Sequence, residues 1–189
     1  MFVLEKQGID ENGNIEMLRT NSSGAHVGGS NIEFKLDFRK MLTMQIGFTI
    51  QESKYVEAVQ WSEDTSIAPE KNMLRTPTNY GYAILTYEPI PHLNIALSGK
   101  YTGKMYIPHF AGYIENDRLE ITKPFWDMGL KVSYDIPIYS FYTLEVNAGI
   151  KNIFDTFQKD IDPGVMRDAS YVYGPKLPRT VFVGLKLKM

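Results

Sequence analysis

Apolar and polar residues alternate with a period of two through six windows of this chain. Ile32, Phe34, Leu36 and Phe38 oppose Glu33, Lys35, Asp37 and Arg39. Leu42, Met44, Ile46, Phe48 and Ile50 oppose Thr43, Gln45, Gly47, Thr49 and Gln51. Leu93, Ile95, Leu97 and Tyr101 oppose Asn94, Ser98, Lys100 and Thr102. Trp126, Met128, Leu130, Val132 and Tyr134 oppose Asp127, Gly129, Lys131, Ser133 and Asp135. Tyr142, Leu144, Val146, Ala148 and Ile150 oppose Thr143, Glu145, Asn147, Gly149 and Lys151. The last window sets Val181, Val183, Leu185, Leu187 and Met189 against Thr180, Gly184, Lys186 and Lys188. Successive side chains of a strand point to opposite faces, so each window predicts a strand with one apolar and one polar face. Asn79 to Glu88 is strand-like with blurred alternation, and helical periodicity is weak everywhere. Each window is about ten residues, the length of a strand tilted across a bilayer.

The connections alternate as well. Arg39 to Met41, Glu88 to Pro91 and Pro137 to Ser140 read as tight turns. Between them lie long polar segments, Val59 to Pro77, Ile107 to Thr122 and Phe154 to Leu177. Short turns at one end and long loops at the other are the habit of outer-membrane barrels, with the turns periplasmic and the loops extracellular. Asn12-Gly13 is a hairpin-turn dipeptide, so the first residues predict an ascending strand and Ile15 to Phe38 a long return strand. The expected fold class is all-β: an antiparallel transmembrane β-barrel segment of about eight strands. Aromatics near strand ends (Tyr87, Tyr101, Tyr106, Phe125, Trp126, Tyr134, Tyr139, Phe141 and Tyr142) suit two interfacial girdles. A soluble barrel or sandwich would alternate equally, since alternation does not say which face meets water.

Composition narrows the classes. The 189 residues are enough for one domain with a sizeable core. The net charge of −2 gives no basic stripe for nucleic acid. Cysteine is absent, which removes disulfides, thiolate metal sites and thiol nucleophiles. No apolar run is long enough for a transmembrane helix, but a barrel wall spends only alternate residues on lipid. Met1 to Gln7 has no signal-peptide character, so a placement in the outer membrane implies that the chain is part of something longer.

Candidate chemistry is sparse. No Ser-His-Asp order, zinc-protease motif, phosphate loop or dinucleotide fingerprint is present, so no catalytic residue, metal site or cofactor is expected and the chain is not expected to be an enzyme. His26, His92 and His109 are far apart and read as exposed histidines, His109 in a long loop. Asp10 to Glu16 and Asp160 to Gly164 read as turns before they read as cation loops. Asp127, Lys131 and Asp135 share one face and predict an ion ladder. The polar set Glu33, Lys35, Asp37, Glu145, Lys151, Lys186 and Lys188 carries both signs; an enclosed lumen or a surface packed on a plug requires such compensation, and a solvated face tolerates it equally.

The C-terminal third carries a resemblance. Ala148 to Asp155, then Arg167-Asp168, then Tyr171 to Lys186 resemble the closing strands of TonB-dependent outer-membrane receptors. In that family a penultimate strand ends in an Asn-hydrophobic-Phe-Asp element, and a long loop leads to a final strand headed by Pro-Arg. Here those positions are Asn152, Phe154 and Asp155, then Gly174, Pro178 and Arg179, with Gly184 in the final strand. Leu18 to Glu33 resembles the family's descending strand. The resemblance implies that residues 1–189 are the C-terminal part of a receptor barrel, without the signal peptide, energy-coupling box and plug. It implies a bacterial outer-membrane location and energy-dependent uptake of a scarce nutrient, a ferric siderophore or haem first, cobalamin or oligosaccharide second. The implied partners are the lipid bilayer, the remaining barrel strands and plug, and through the plug the TonB complex. Loop aromatics Trp61, Tyr106, Phe110, Tyr113 and Tyr173 are the candidate ligand contacts. Terminal Met189 departs from the family's closing aromatic. The alternatives are a self-closed small barrel with a structural or adhesive role, and a soluble all-β binding domain.

Overall fold

The computed structural model describes residues 2–9, 11, 15–21, 23–39, 41–139 and 141–189. Among them the chain is all-β, with antiparallel neighbours in every sheet. The strands are β1 (Phe2–Ile9), β2 (Ile15–Asn21), β3 (Ala25–Phe38), β4 (Leu42–Val59), β5 (Glu70–Asn72), β6 (Asn79–Tyr87), β7 (Leu93–Thr102), β8 (Tyr106–His109), β9 (Arg118–Ile121), β10 (Phe125–Tyr139), β11 (Tyr142–Lys151) and β12 (Thr180–Lys188). The main sheet runs β3-β4-β6-β7-β10-β11-β12, with β5 laid beside β4. β1 pairs with β2, and β8 with β9, in two separate two-stranded sheets.

Register brings the apolar positions of the long strands onto one face. Leu36 pairs with Met44, Met44 with Leu85, Leu85 with Leu97, Leu97 with Leu130, and Leu130 with Ile150, which pairs with Val181. A parallel row runs Val146–Leu185, Tyr134–Val146 and Leu93–Tyr134. This face is uncovered: Phe34, Phe38, Ile50, Val132, Ile136 and the whole apolar side of β12 are exposed, Val183 at 76%. The opposite face carries Thr43, Gln45, Lys100, Asp127, Lys131, Ser133, Asn147 and Lys188. Among the described residues the closely buried hydrophobics are Ile107 and Tyr171. Both lie in the long connections, so the tightest packing is at one end of the sheet and not across it.

The two edges of the main sheet are β3 and β12. No pairing joins them among the described residues. Each step along the sheet reverses direction, so the seven strands from β3 to β12 leave both edges running the same way. Direct closure of β3 on β12 would therefore make a parallel pair in an antiparallel wall, the less favourable ladder.

Several expectations shift. The return strand expected over Ile15 to Phe38 is divided into β2 and β3, with Gly24 at φ +110° between them, a value that side chains with a Cβ rarely adopt. The Asn12-Gly13 turn lies outside the described residues. β10 continues through Pro137 to Tyr139, because Pro137 faces Thr143 of β11 at a level where β10 has outrun β7. Of the expected girdle, Tyr87, Tyr101, Trp126, Tyr134 and Tyr142 share the apolar face. Tyr101 and Trp126 sit in contact at the long-loop end (ring centroids 4.8 Å apart). Phe125 pairs with Thr102 and so projects from the polar face, and Tyr106 belongs to β8.

The ion ladder expected along β10 is replaced by a cross-strand network. Lys131 pairs with Glu145 at 2.8 Å, and Lys188 reaches both Glu145 at 3.0 Å and Asp135 at 2.8 Å. In register Lys131 lies opposite Gly149, Glu145 opposite Asp135 and Lys188 opposite Thr143, so these ion pairs run diagonally across the ladder on the reach of the long lysine side chains. Lys35 pairs with Asp37 at 3.4 Å, and the Lys151 ammonium sits 5.4 Å from the Phe182 ring centroid.

Candidate functional site

The three long connections meet at one end of the sheet and lock into a cap. Arg75, held at φ 57°, joins the first to the other two. Its backbone N–H donates to Tyr106 O at 2.7 Å, and its guanidinium donates to Ser170 O at 2.5 Å and Val172 O at 3.3 Å. Ser62 donates to Asp117 Oδ2 at 2.5 Å, and Asp117 Oδ1 accepts from the Ala111 N–H at 2.6 Å. The β8–β9 hairpin is secured from below by the Thr122 N–H, which donates to Met105 O at 3.0 Å.

At the centre of the cap sits a polar cluster. His109, at the end of β8, is 3% exposed. Its Nε2 lies 3.0 and 2.9 Å from the two carboxyl oxygens of buried Asp162. Its ring stacks flat on Tyr171, centroids 3.8 Å apart and planes at 1°. The expectation of an exposed His109 is thus overturned: a residue 53 positions away supplies a buried carboxylate for it. Asp162 also accepts from the Asp168 N–H at 3.0 Å. Asp168 in turn accepts from the Phe110 N–H at 2.9 Å and the Ser170 N–H at 2.8 Å. His109 Nδ1 is buried with no partner among the described residues.

Beside this cluster Asp160 accepts from two phenols, Tyr171 at 2.7 Å and Tyr173 at 2.6 Å. Burial alone would raise the Asp160 carboxyl; the bonds from Tyr173 and Tyr171 outweigh it and hold the group below its ordinary range. Burial first, and then donation to Asp160, pushes both phenols above their ordinary value. Asp168 likewise titrates below its usual range, because the Phe110 and Ser170 bonds outweigh its desolvation. The Asp160 to Gly164 segment is irregular rather than the turn expected from the sequence, bending at Asp160 and at Gly164 (φ +83°), and its carboxylates are spent on protein donors. Among the described residues no cluster of three or more His, Asp or Glu could hold a metal ion.

The structure gathers most of the positions singled out from the family pattern. Asn152, buried and at φ 48°, accepts from the Thr156 N–H at 2.9 Å and donates to Thr156 O and Leu177 O, each at 2.9 Å. Asp155, at φ 51°, accepts the Arg179 N–H at 2.8 Å, and Arg179 Nε donates to Ile153 O at 2.9 Å. Pro178 O accepts from the Thr180 hydroxyl at 2.8 Å. These contacts tie the exit of β11 to the start of β12. Gly174 holds φ +84°. A Cβ on Gly184 would stand 2.9 Å from Asn147 Oδ1, the end of a side chain that would have to turn aside to admit it. Phe154 is largely exposed and outside the knot.

The loop aromatics separate. Trp61 and Phe110 come together, ring centroids 6.2 Å apart, with Trp61 Nε1 donating to Ala68 O at 3.2 Å. Tyr106 is a strand residue of β8, Tyr113 stands exposed, and Tyr173 is clamped on Asp160. Asp160, Asp162, Asp168 and Arg75 hold the cap together, and none was among the candidate site residues. The sequence marks Asp160 and Asp162 only as a turn-like Asp-x-Asp-Pro-Gly and Asp168 only through the Arg167-Asp168 pair of the resemblance; nothing in it marks Arg75.

Fold and site together define an antiparallel all-β chain with an uncovered apolar face, a charge-paired polar face and a locked cap of loops. No protein-family model matches the chain, and no curated protein matches it at significance.

Proposed function

We propose that the chain is a membrane-embedded wall segment of an outer-membrane β-barrel receptor of the TonB-dependent kind, serving energy-dependent uptake of a scarce nutrient, a ferric siderophore or haem in the first place. The observation that carries this reading is the continuous apolar face from β3 to β12, which no described residue covers. In water so large an apolar surface is unfavourable; against hydrocarbon it is the required surface. The polar face, with Lys131, Glu145, Lys188 and Asp135 mutually compensated, suits an enclosed lumen. Tight turns at one end and a built cap of long loops at the other suit periplasmic and extracellular ends.

Strand parity favours a multi-component wall over the self-closed small barrel. In lipid, unpaired strand edges cost several kcal/mol for each unsatisfied group. Edges β3 and β12 run the same way, so an ascending strand must stand between them. β1 is antiparallel to β2 and forms its own small sheet. Further strands, such as the rest of a receptor barrel supplies, complete the wall.

The test is uptake. Cells whose chromosomal gene lacks the codons for residues 105–122 should lose energy-dependent accumulation of radiolabelled ferric chelates or haem under iron limitation. Unchanged accumulation of every cargo overturns the transport reading and leaves the membrane reading standing.

A further inference from the structure

A cleft of about 300 Å³ opens between the start of β10 and the loop joining β11 to β12. Its wall includes Lys123, Phe125, Phe157, Lys159, Asp160 and Tyr173. Phe125 projects from the polar face of the sheet, so the cleft lies on that side, at the end where the cap sits.

Three observations bear on what it takes. First, the cleft is cationic. Among the described residues neither Lys123 nor Lys159 forms a salt bridge. The one carboxylate in the wall, Asp160, already has its two oxygens on the phenols of Tyr171 and Tyr173. Second, the remaining wall is flat and apolar: Phe125, Phe157 and Tyr173, with Pro124 and Pro175 between them. Phe157 is half exposed, and among the described residues no ring packs against it, so its face is open to the cleft. Third, the frame is fixed. Gln158 donates to Tyr171 O at 3.2 Å and accepts from the Tyr173 N–H at 3.0 Å, so the two sides of the loop cannot drift apart independently.

Two unpaired ammonium groups beside exposed ring faces are complementary to an anion carried on a planar ring, which pairs with the cations and stacks on the aromatics. The volume stands at the lower end of small-molecule sites. We infer that this cleft binds an anionic, planar-ring small molecule, with Lys123 and Lys159 meeting its acidic group and Phe125, Phe157 and Tyr173 packing on its ring. As a capture point for transported cargo the site rests on the uptake reading above; binding itself does not.

The experiment uses the purified full chain, in micelles or in buffer, whichever keeps it monodisperse. The probes are 2-naphthoate and its neutral isostere 2-naphthamide, titrated by saturation-transfer NMR. Naphthoate should bind at least tenfold tighter than the amide. The Lys123→Gln/Lys159→Gln variant should lose about that tenfold for naphthoate alone, a change of about 1.4 kcal/mol. Lys123→Arg/Lys159→Arg should stay within about threefold of wild type, since the charge is kept. Phe157→Ser should weaken both probes. Equal affinity for the two probes, or an unchanged naphthoate affinity in the Gln double variant, overturns the proposal. Binding retained in a chain that supports no uptake would sink the transport reading and leave the cleft; uptake retained without naphthoate binding would do the reverse.

Discussion

Replacing Asp162 by alanine should unlock the loop cap while leaving the sheet intact. The substitution strips His109 Nε2 and the Asp168 N–H of a shared acceptor in a buried setting. Each orphaned group costs roughly 1–3 kcal/mol, so the local loss is about 2–6 kcal/mol. Opening free energy sets amide exchange, so protection of residues 106–122 and 156–173 should fall by about thirtyfold or more. Protection at 130–134 and 144–148, where β10 and β11 pair, should hold. Asp162→Asn keeps an acceptor of the same shape and should recover roughly half of the lost protection. Unchanged exchange in the Ala variant would mean that the His109–Asp162 contact does not hold the cap.

The second large effect separates the two faces of one strand. Val132 pairs with Ile95 and Ala148 on the apolar face; Ser133 pairs with Asn94 and Asn147 on the other. If the apolar face meets hydrocarbon, Val132→Arg near mid-strand should cost about 2–4 kcal/mol of stability in a bilayer. Ser133→Arg, entering a polar space already lined with amides and ions, should cost no more than about 1 kcal/mol. Urea midpoints of bilayer-reconstituted protein read both. A larger loss for Ser133→Arg would invert the assignment of faces.

The alternation of the long strands was legible because a period of two is written locally, residue by residue. Strands β6, β7, β10, β11 and β12, and the start of β4, fall within a few residues of their expected places for that reason. Their ends were less legible. β4 runs to Val59 because its upper part finds partners in β3 as far as Tyr55 and in β5, and a single strand does not announce its neighbours. Register was hidden for the same reason, so Lys131 was matched along its own strand to Asp127 and Asp135 when Glu145 lay across the ladder. The cap was least legible. His109 and Asp162 are joined only when β8 and the last loop meet, and no local pattern marks that meeting. The knot of Asn152, Asp155 and Arg179 shows the opposite case: a short pattern, Asn-Ile-Phe-Asp followed by Pro-Arg, corresponds to a compact set of contacts. Trp61 and Phe110 were recognisable as loop aromatics, but their proximity was not, and Tyr173 proved to be committed to Asp160.

The central claim is that hydrocarbon lies on one side of this sheet and an aqueous lumen on the other. Nitroxide labels placed singly at Leu130, Val183, Lys131 and Lys186 in bilayer-reconstituted protein test it most directly. Collisions with oxygen should dominate at Leu130 and Val183, and collisions with a water-soluble nickel chelate at Lys131 and Lys186. The reverse pattern, or chelate access at all four sites, would contradict the account.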